Sequence, residues 1–296
     1  EKEEDRVQWE KDIPDAKFIT ISPTHLSEAL WSKISRPVRG IMYHGWGSLF
    51  PSTHGSYCCT NHETALMLKK LVHEVVQPLG PMLLAIPDRK ADIAILESFS
   101  SQMFAGRGTT GWSRSWEADM HLILQWAGLQ PAIVYDETIR RDRLKDYKIL
   151  VMPYCDVLTE SVAKAITAFQ KRGGIVVADE FLCPAILPDI LVQSYSRTNT
   201  PHEDKAALQK IAADLSAQLE PFYERAVFSS NQDIVPRLRR YGKTDYLFTI
   251  NDYRTYGAYL GHHRLVMEQG LPTRATVTMP RSGYVYDLVQ HKLVTS

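Results

Sequence analysis

Apolar positions change their period several times along this chain. Residues 17–22 (Lys-Phe-Ile-Thr-Ile-Ser) read as a short strand. Residues 25–35 place Leu26, Leu30, Trp31 and Ile34 near helical spacing. A second strand is expected at 38–44, then a loop rich in Pro, Ser, Thr and Gly over 47–61. Asn61 is placed to cap a helix over 62–77, with Leu66, Leu68, Leu71, Val72 and Val75 apolar and Pro78 as its stop. These are two β–α units, whereas a full (β/α)8 barrel needs eight units and about 250 residues.

From about residue 87 the pattern changes. Strands are expected at 91–96, 130–135, 148–152 and 174–178, each a continuous apolar run. Helices over 115–127 and 159–171 lie between them, stopped by Gly128 and by Gly173-Gly174. Such alternation predicts a parallel sheet covered on both faces. Residues 204–223 predict an amphipathic helix, with Leu208, Ile211, Leu215, Leu219 and Phe222 on one face. Short strands at 246–250, 275–279 and 284–288 follow, set off by Asn-Asp, Gly and Pro turns. The expected class is α/β. The end of a (β/α) barrel occupies 1–86, a doubly wound parallel sheet 87–225, and a small antiparallel β domain, expected to be cut short, 226–296.

Composition narrows the partners. The chain has 296 residues, with 34 basic against 34 acidic side chains. A balanced charge argues against nucleic acid or an anionic membrane as the main partner. No stretch approaches the roughly 20 apolar residues of a membrane helix. The chain begins with Glu rather than Met, which suggests a trimmed start, so localisation cannot be read from it. Cys58, Cys59, Cys155 and Cys183 form no CxxC pair and no zinc spacing, and are expected to be free thiols.

Val38 to Leu49 carries the richest local chemistry. An apolar strand closes with Tyr43, His44 and Trp46, as the strands at the mouth of a barrel enzyme do. The flat face of a Trp suits the C–H face of a sugar ring, although Trp46 reads equally well as a core aromatic. His25 is a further candidate at the mouth, or a helix-start His bonded locally. No GxGxxG follows a strand and there is no P-loop. Gly106-Arg-Gly108 and Gly111 read as a surface loop, and Asn251-Asp252 as a turn. Adjacent His262 and His263 diverge, so neither metal nor cofactor is expected.

Residues 91–190 resemble the class I glutamine-amidotransferase-like fold. Active members hold a Cys on a sharp strand-to-helix turn. The comparable turn here, after 174–178, carries Asp179-Glu180, so a working amidotransferase site is not expected. Over nearly its whole length the chain resembles the C-terminal half of family 42 glycoside hydrolases, the β-galactosidases. The markers are Ser22-Pro-Thr24, Leu30-Trp31, Gly40-Ile-Met-Tyr-His-Gly-Trp46, Asp146-Tyr-Lys-Ile-Leu-Val-Met-Pro153, Leu158-Thr159 and Gly173-Gly-Ile-Val-Val177. The resemblance implies that 17–77 are the last two barrel units and that Trp46 lines a sugar site. It also implies that residues 88–200 pack against copies of themselves around a three-fold axis.

One position departs from that family. Retaining enzymes need two carboxylates about 5 Å apart. The resemblance puts the acid/base on an earlier strand outside this chain, and the nucleophile at Thr20 when aligned on Pro23. A hydroxyl cannot fill that role, and Glu28 is the nearest acid downstream. The catalytic residues therefore stay unassigned, and this chain alone should not catalyse. Three readings stand: a glycoside-hydrolase-related protein that hydrolyses or binds β-galactoside-like sugars in its intact parent; a non-catalytic assembly or carbohydrate-binding module; and a cysteine-dependent, glutaminase-like hydrolase using Cys183 or Cys155. The expected partners are carbohydrate and further copies of the chain, a trimer by analogy.

Overall fold

The computed structural model describes residues 20–43, 49, 59, 61–105, 116–141, 143–198, 200–255 and 269–295. The chain forms two compact units, one of residues 1–89 with 226–296 and the other of 90–225.

The first unit opens with helix α1, Pro23–Ile34, whose Ser22 side chain accepts the His25 N–H and caps its start. Helix α2, His62–Leu71, is capped by Asn61 as expected. Pro78 does not end it. A π-helical turn at Val72–Val76 leads into α3, Gln77–Ala85, and the Gln77 N–H bonds the Val72 carbonyl five residues back. A proline crowds the carbonyl four residues before it. The wider turn loosens the ladder where Pro78 arrives, and helix continues. The expected strands at 17–22 and 38–44 are not formed over 20–22 or 38–43. A strand exists by pairing, and among the described residues no strand pairs with either segment.

The second unit is mixed α/β around one parallel sheet. Its elements are β1 Ile93–Glu97, α4 Phe99–Phe104, α5 Trp116–Trp126, β2 Ala132–Tyr135 and α6 Asp136–Arg140, then β3 Ile149–Met152, α7 Glu160–Lys171, β4 Ile175–Ala178, β5 Ile190–Leu191 and α8 Pro201–Leu219. The strand order is β2-β1-β3-β4-β5, all parallel. This is one of the common doubly wound orders, with a switch point between β1 and β3. Alternate strand residues feed two cores. Ile93, Ile95, Ile149, Val151 and Val177 meet α5 and α8, while Ala94, Leu96, Leu150, Met152 and Val176 meet α6 and α7. Helix α8 begins at Pro201 and ends at Leu219, and beyond it Tyr223 is buried while Phe222 is 65% exposed. The Tyr223 N–H still bonds the Leu219 carbonyl, so Tyr223 continues the four-residue spacing of Leu215 and Leu219 on the core face, and Phe222 falls to its side.

The chain then returns to the first unit with small antiparallel pairs. They are β6 Phe228–Ser229 with β11 Val277–Thr278, β7 Ile234–Tyr241 with β8 Thr244–Asn251, β9 Arg254–Thr255 with β10 Gln269–Gly270, and β12 Val285–Asp287 with β13 Lys292–Thr295. The two-residue turn Gly242-Lys243 joins β7 to β8, with Gly242 at φ +57°. Residues 226–255 do not stand apart from 20–86: Phe248 and Tyr246 pack with Leu26, Leu30, Leu71 and Leu83 in one apolar cluster. Arg239 on β7 is fully buried, and its guanidinium donates to the carbonyls of Ile34, Arg36, Leu83 and Ile86 at the ends of α1 and α3.

Candidate functional site

Two places gather the chemistry: the start of α1 in the first unit, and the carboxyl edge of the parallel sheet in the second. Tyr43 is half-buried against the cluster of Leu26, Leu30 and Leu71, and burial raises its phenol pKa. His25 lies in the first turn of α1 with an exposed side chain. His44 and Trp46 lie outside the described residues, as do Cys58, Gly106-Arg-Gly108, Gly111 and His262-His263.

Thr20 is 1% exposed, and the neighbouring Ile21 carbonyl accepts the Thr64 hydroxyl at 2.6 Å. Glu28 pairs with Arg254, which also holds Asp252. Its charge is therefore neutralised within this unit, and the pairing accounts for the residue without a catalytic role. Asn251 does act as a turn residue, accepting the Tyr253 N–H at 3.0 Å.

At the sheet edge a buried acid organises three elements. Asp179, just after β4, is 1% exposed. Its Oδ2 accepts the Trp116 indole N–H at 2.8 Å and the Tyr154 backbone N–H at 2.7 Å, and its Oδ1 accepts the Phe181 N–H at 3.0 Å. Burial raises its pKa, the three donors pull it back, and Glu180 pushes the same way as burial. Tyr154 follows β3 with φ +52°, a left-handed conformation uncommon for a residue with a Cβ. Its ring stands edge-on to Phe181 at 5.1 Å. Besides the turn at 180–181 after β4, this sheet thus has a left-handed turn after β3. Nothing local in Pro153-Tyr154-Cys155 announces it, because the conformation is held by an acceptor 25 residues away.

Asp136 closes the other side of the edge. Its Oδ2 accepts the Ser100 N–H and hydroxyl at 3.1 Å each, while its buried Oδ1 has no hydrogen-bond partner. Cys155 is fully buried and its Sγ donates to the Pro153 carbonyl at 3.4 Å. Burial, with Asp179 and Asp136 nearby, pushes its thiol well above the usual range. A thiolate is disfavoured there, which argues against Cys155 as the nucleophile of a cysteine hydrolase. Cys183 is half-buried, and its N–H is bonded to the Cys155 carbonyl at 2.8 Å. Among the described residues no group of three or more His, Cys, Asp or Glu is arranged to hold a metal. No helix of the described residues is long and apolar enough to cross a membrane.

No protein-family model matches this sequence, and no curated protein does. The fold has solved neighbours among the glycoside hydrolases. α-L-Fucosidase isoenzyme 2 from Paenibacillus thiaminolyticus matches with a TM-score of 0.54 and 12% identity, over 88% of this chain and 51% of that one. A β-galactosidase from Bacillus circulans sp. alkalophilus matches at 0.52 and 14% identity, over 83% and 46%. A catalytic mutant of Gan42B, a GH42 β-galactosidase from G. stearothermophilus, matches at 0.52 and 12%, over 83% and 45%. The chain spans about half the length of these neighbours. At this identity the likeness is one of fold: a mixed α/β protein with a five-stranded parallel sheet and small antiparallel sheets, built as parts of glycosidases are.

Proposed function

We propose that this chain is the C-terminal portion of a glycoside-hydrolase-related protein similar to the family 42 β-galactosidases. The observation that carries this reading is the match to a fucosidase and two β-galactosidases over 83–88% of the chain, more than the parallel-sheet unit alone supplies. On this reading residues 1–86 are the end of a barrel, 87–225 an amidotransferase-like assembly domain, and 226–296 a β domain. Trp46 stacks on the sugar, and Tyr43, His44 and His25 bond around it. The molecule assembles through 88–200 as a homotrimer.

A second reading is favoured by Thr20 and Glu28. The first is a buried hydroxyl where a carboxylate nucleophile would stand, and the second is tied to Arg254. It makes the protein a non-catalytic module that binds carbohydrate or holds an assembly together.

The test is the full-length parent protein against a panel of nitrophenyl glycosides that includes β-galactoside and α-L-fucoside. Hydrolysis of one sugar, lost in Trp46→Ala, supports the first reading. A folded protein that hydrolyses none but binds a galactoside through Trp46 supports the second. The absence of both turnover and sugar binding overturns the first reading and the carbohydrate-binding form of the second, and a monomer in solution then overturns its assembly form.

A further inference from the structure

We infer that Asp179 is an acid-sensitive latch, which holds the Tyr154 turn in its left-handed form and ties it to Trp116 on α5 and to the turn at Phe181. The geometry is that of one carboxylate saturated by three N–H donors from three segments. These segments meet at the carboxyl edge of the sheet, next to the switch point where doubly wound sheets receive ligands. Whatever fixes the turn after β3 therefore fixes the shape of that edge.

Tyr154 has no local reason to sit at φ +52°. It lacks the freedom of glycine and is not an Asn or Asp that could bond its own backbone. The conformation persists because its N–H is aimed at Asp179 and its ring is set against Phe181. Both contacts depend on residues 179–181, so the strained turn and its clamp form one device.

The surroundings favour release by a proton. The ionisable groups bearing on this spot are Glu180 in the same turn, Glu117 on α5, Asp136 on α6, and Asp156 and the Cys155 thiol in the turn after β3. All are acidic; Glu180 opposes a charge on Asp179, as burial does, and the carboxylates of Glu117, Asp136 and Asp156 bear on the Cys155 thiol. A proton on Asp179 removes charge assistance from three hydrogen bonds at once. It also places a hydrogen on one of the two oxygens that those donors share. The left-handed turn then loses what offsets it, and the edge is free to relax.

The test is an NMR titration of this chain from about pH 7 to pH 3, across the usual carboxylate range. It follows the Tyr154 and Phe181 backbone N–H signals and the Trp116 indole N–H signal, the last assigned with Trp116→Phe. The three signals are expected to move together with a single midpoint above that of an ordinary Asp, and to stay flat in Asp179→Asn. Independent midpoints, or no movement, would overturn the latch. Tyr154→Ala and Tyr154→Gly both remove the ring contact with Phe181 and leave Asp179 in place, and only the second also removes the Cβ conflict. The Gly variant is expected to melt roughly 2–4 °C above the Ala variant. No difference between the two would mean that the turn carries no strain for a latch to hold.

Discussion

Arg239 and Leu83 are 156 positions apart in sequence, yet the Arg239 Nη2 donates to the Leu83 carbonyl at 2.8 Å. The same guanidinium reaches the Ile34 carbonyl through Nη1 at 3.2 Å. The last carbonyls of a helix have no partner within it and carry the negative end of its dipole. One buried cation here answers two such ends. Burial lowers the pKa of this guanidinium, and its placement between the two helix ends explains how a charge survives at 0% exposure.

Arg239→Met is therefore expected to cost about 3 kcal/mol. It keeps most of the apolar stem but leaves buried carbonyls without donors. Urea unfolding of the first unit, followed by fluorescence, measures this. Arg239→Lys should recover only part of the loss, because an ammonium cannot fork between two helix ends.

Asp245 gives a pH dependence of definite sign. Its side chain is 6% exposed, with Arg240 Nε at 2.6 Å and Arg281 Nε at 2.7 Å. Burial alone would raise this carboxyl, but the two arginines outweigh it and hold its pKa below the usual value. A depressed folded pKa stabilises above the unfolded value, and that stability is lost as pH falls through the folded one. Asp245→Asn should thus cost about 1 kcal/mol at pH 7 and almost nothing near pH 2. Thermal melts of both proteins across that range read the difference.

Asp179 has the opposite sign. Its folded pKa is raised, so its ionised form is the disfavoured one in the native state. The protonated native form, with the clamp at Tyr154 loosened, is therefore the one whose stability is fully present below the unfolded value, and that stability declines as pH rises through the folded one. Asp179→Asn should flatten this component of the stability–pH curve, which guanidinium titrations at several pH values resolve.

Gly174→Ala should destabilise the sheet unit by about 2 kcal/mol. A Cβ there would overlap the ring of Phe169, which is itself 2% exposed and packed against Val176 and Ile166. Gly173, at φ +88°, already serves the turn, so the pair cannot share the strain. Calorimetry of the variant measures the cost.

Cys155 should resist alkylation by iodoacetamide in the folded protein and react only after unfolding, as mass spectrometry of tryptic peptides would show. Full burial and a raised pKa act together. Rapid native labelling would reopen the cysteine-hydrolase reading.

The parallel sheet was legible because Ile93–Glu97, Ile149–Met152 and Ile175–Ala178 are nearly unbroken apolar runs with helices between them. Strand β7 was not. No element was expected over its Pro236, Arg237, Arg239 and Arg240, since no local pattern says that an arginine will be buried against carbonyls from residues 34 and 83. The end of α2 failed for a related reason: the residues before Pro78 rearranged rather than stopped. At the candidate site, single sequence could nominate Tyr43 and His25 by type. The left-handed turn at Tyr154 depends on Asp179, a contact that only the folded sheet creates.

The π turn at Val72–Val76 also constrains chain length. Each residue in a helix turns the chain by about 100°. Deleting one residue there would restore an ordinary helical ladder but swing everything after it around the axis by that angle. Leu83 would leave the apolar cluster, and its carbonyl and that of Ile86 would turn away from Arg239. The extra residue works as a phase shifter, so this helix tolerates changes of side chain far better than a change in the number of residues it contains.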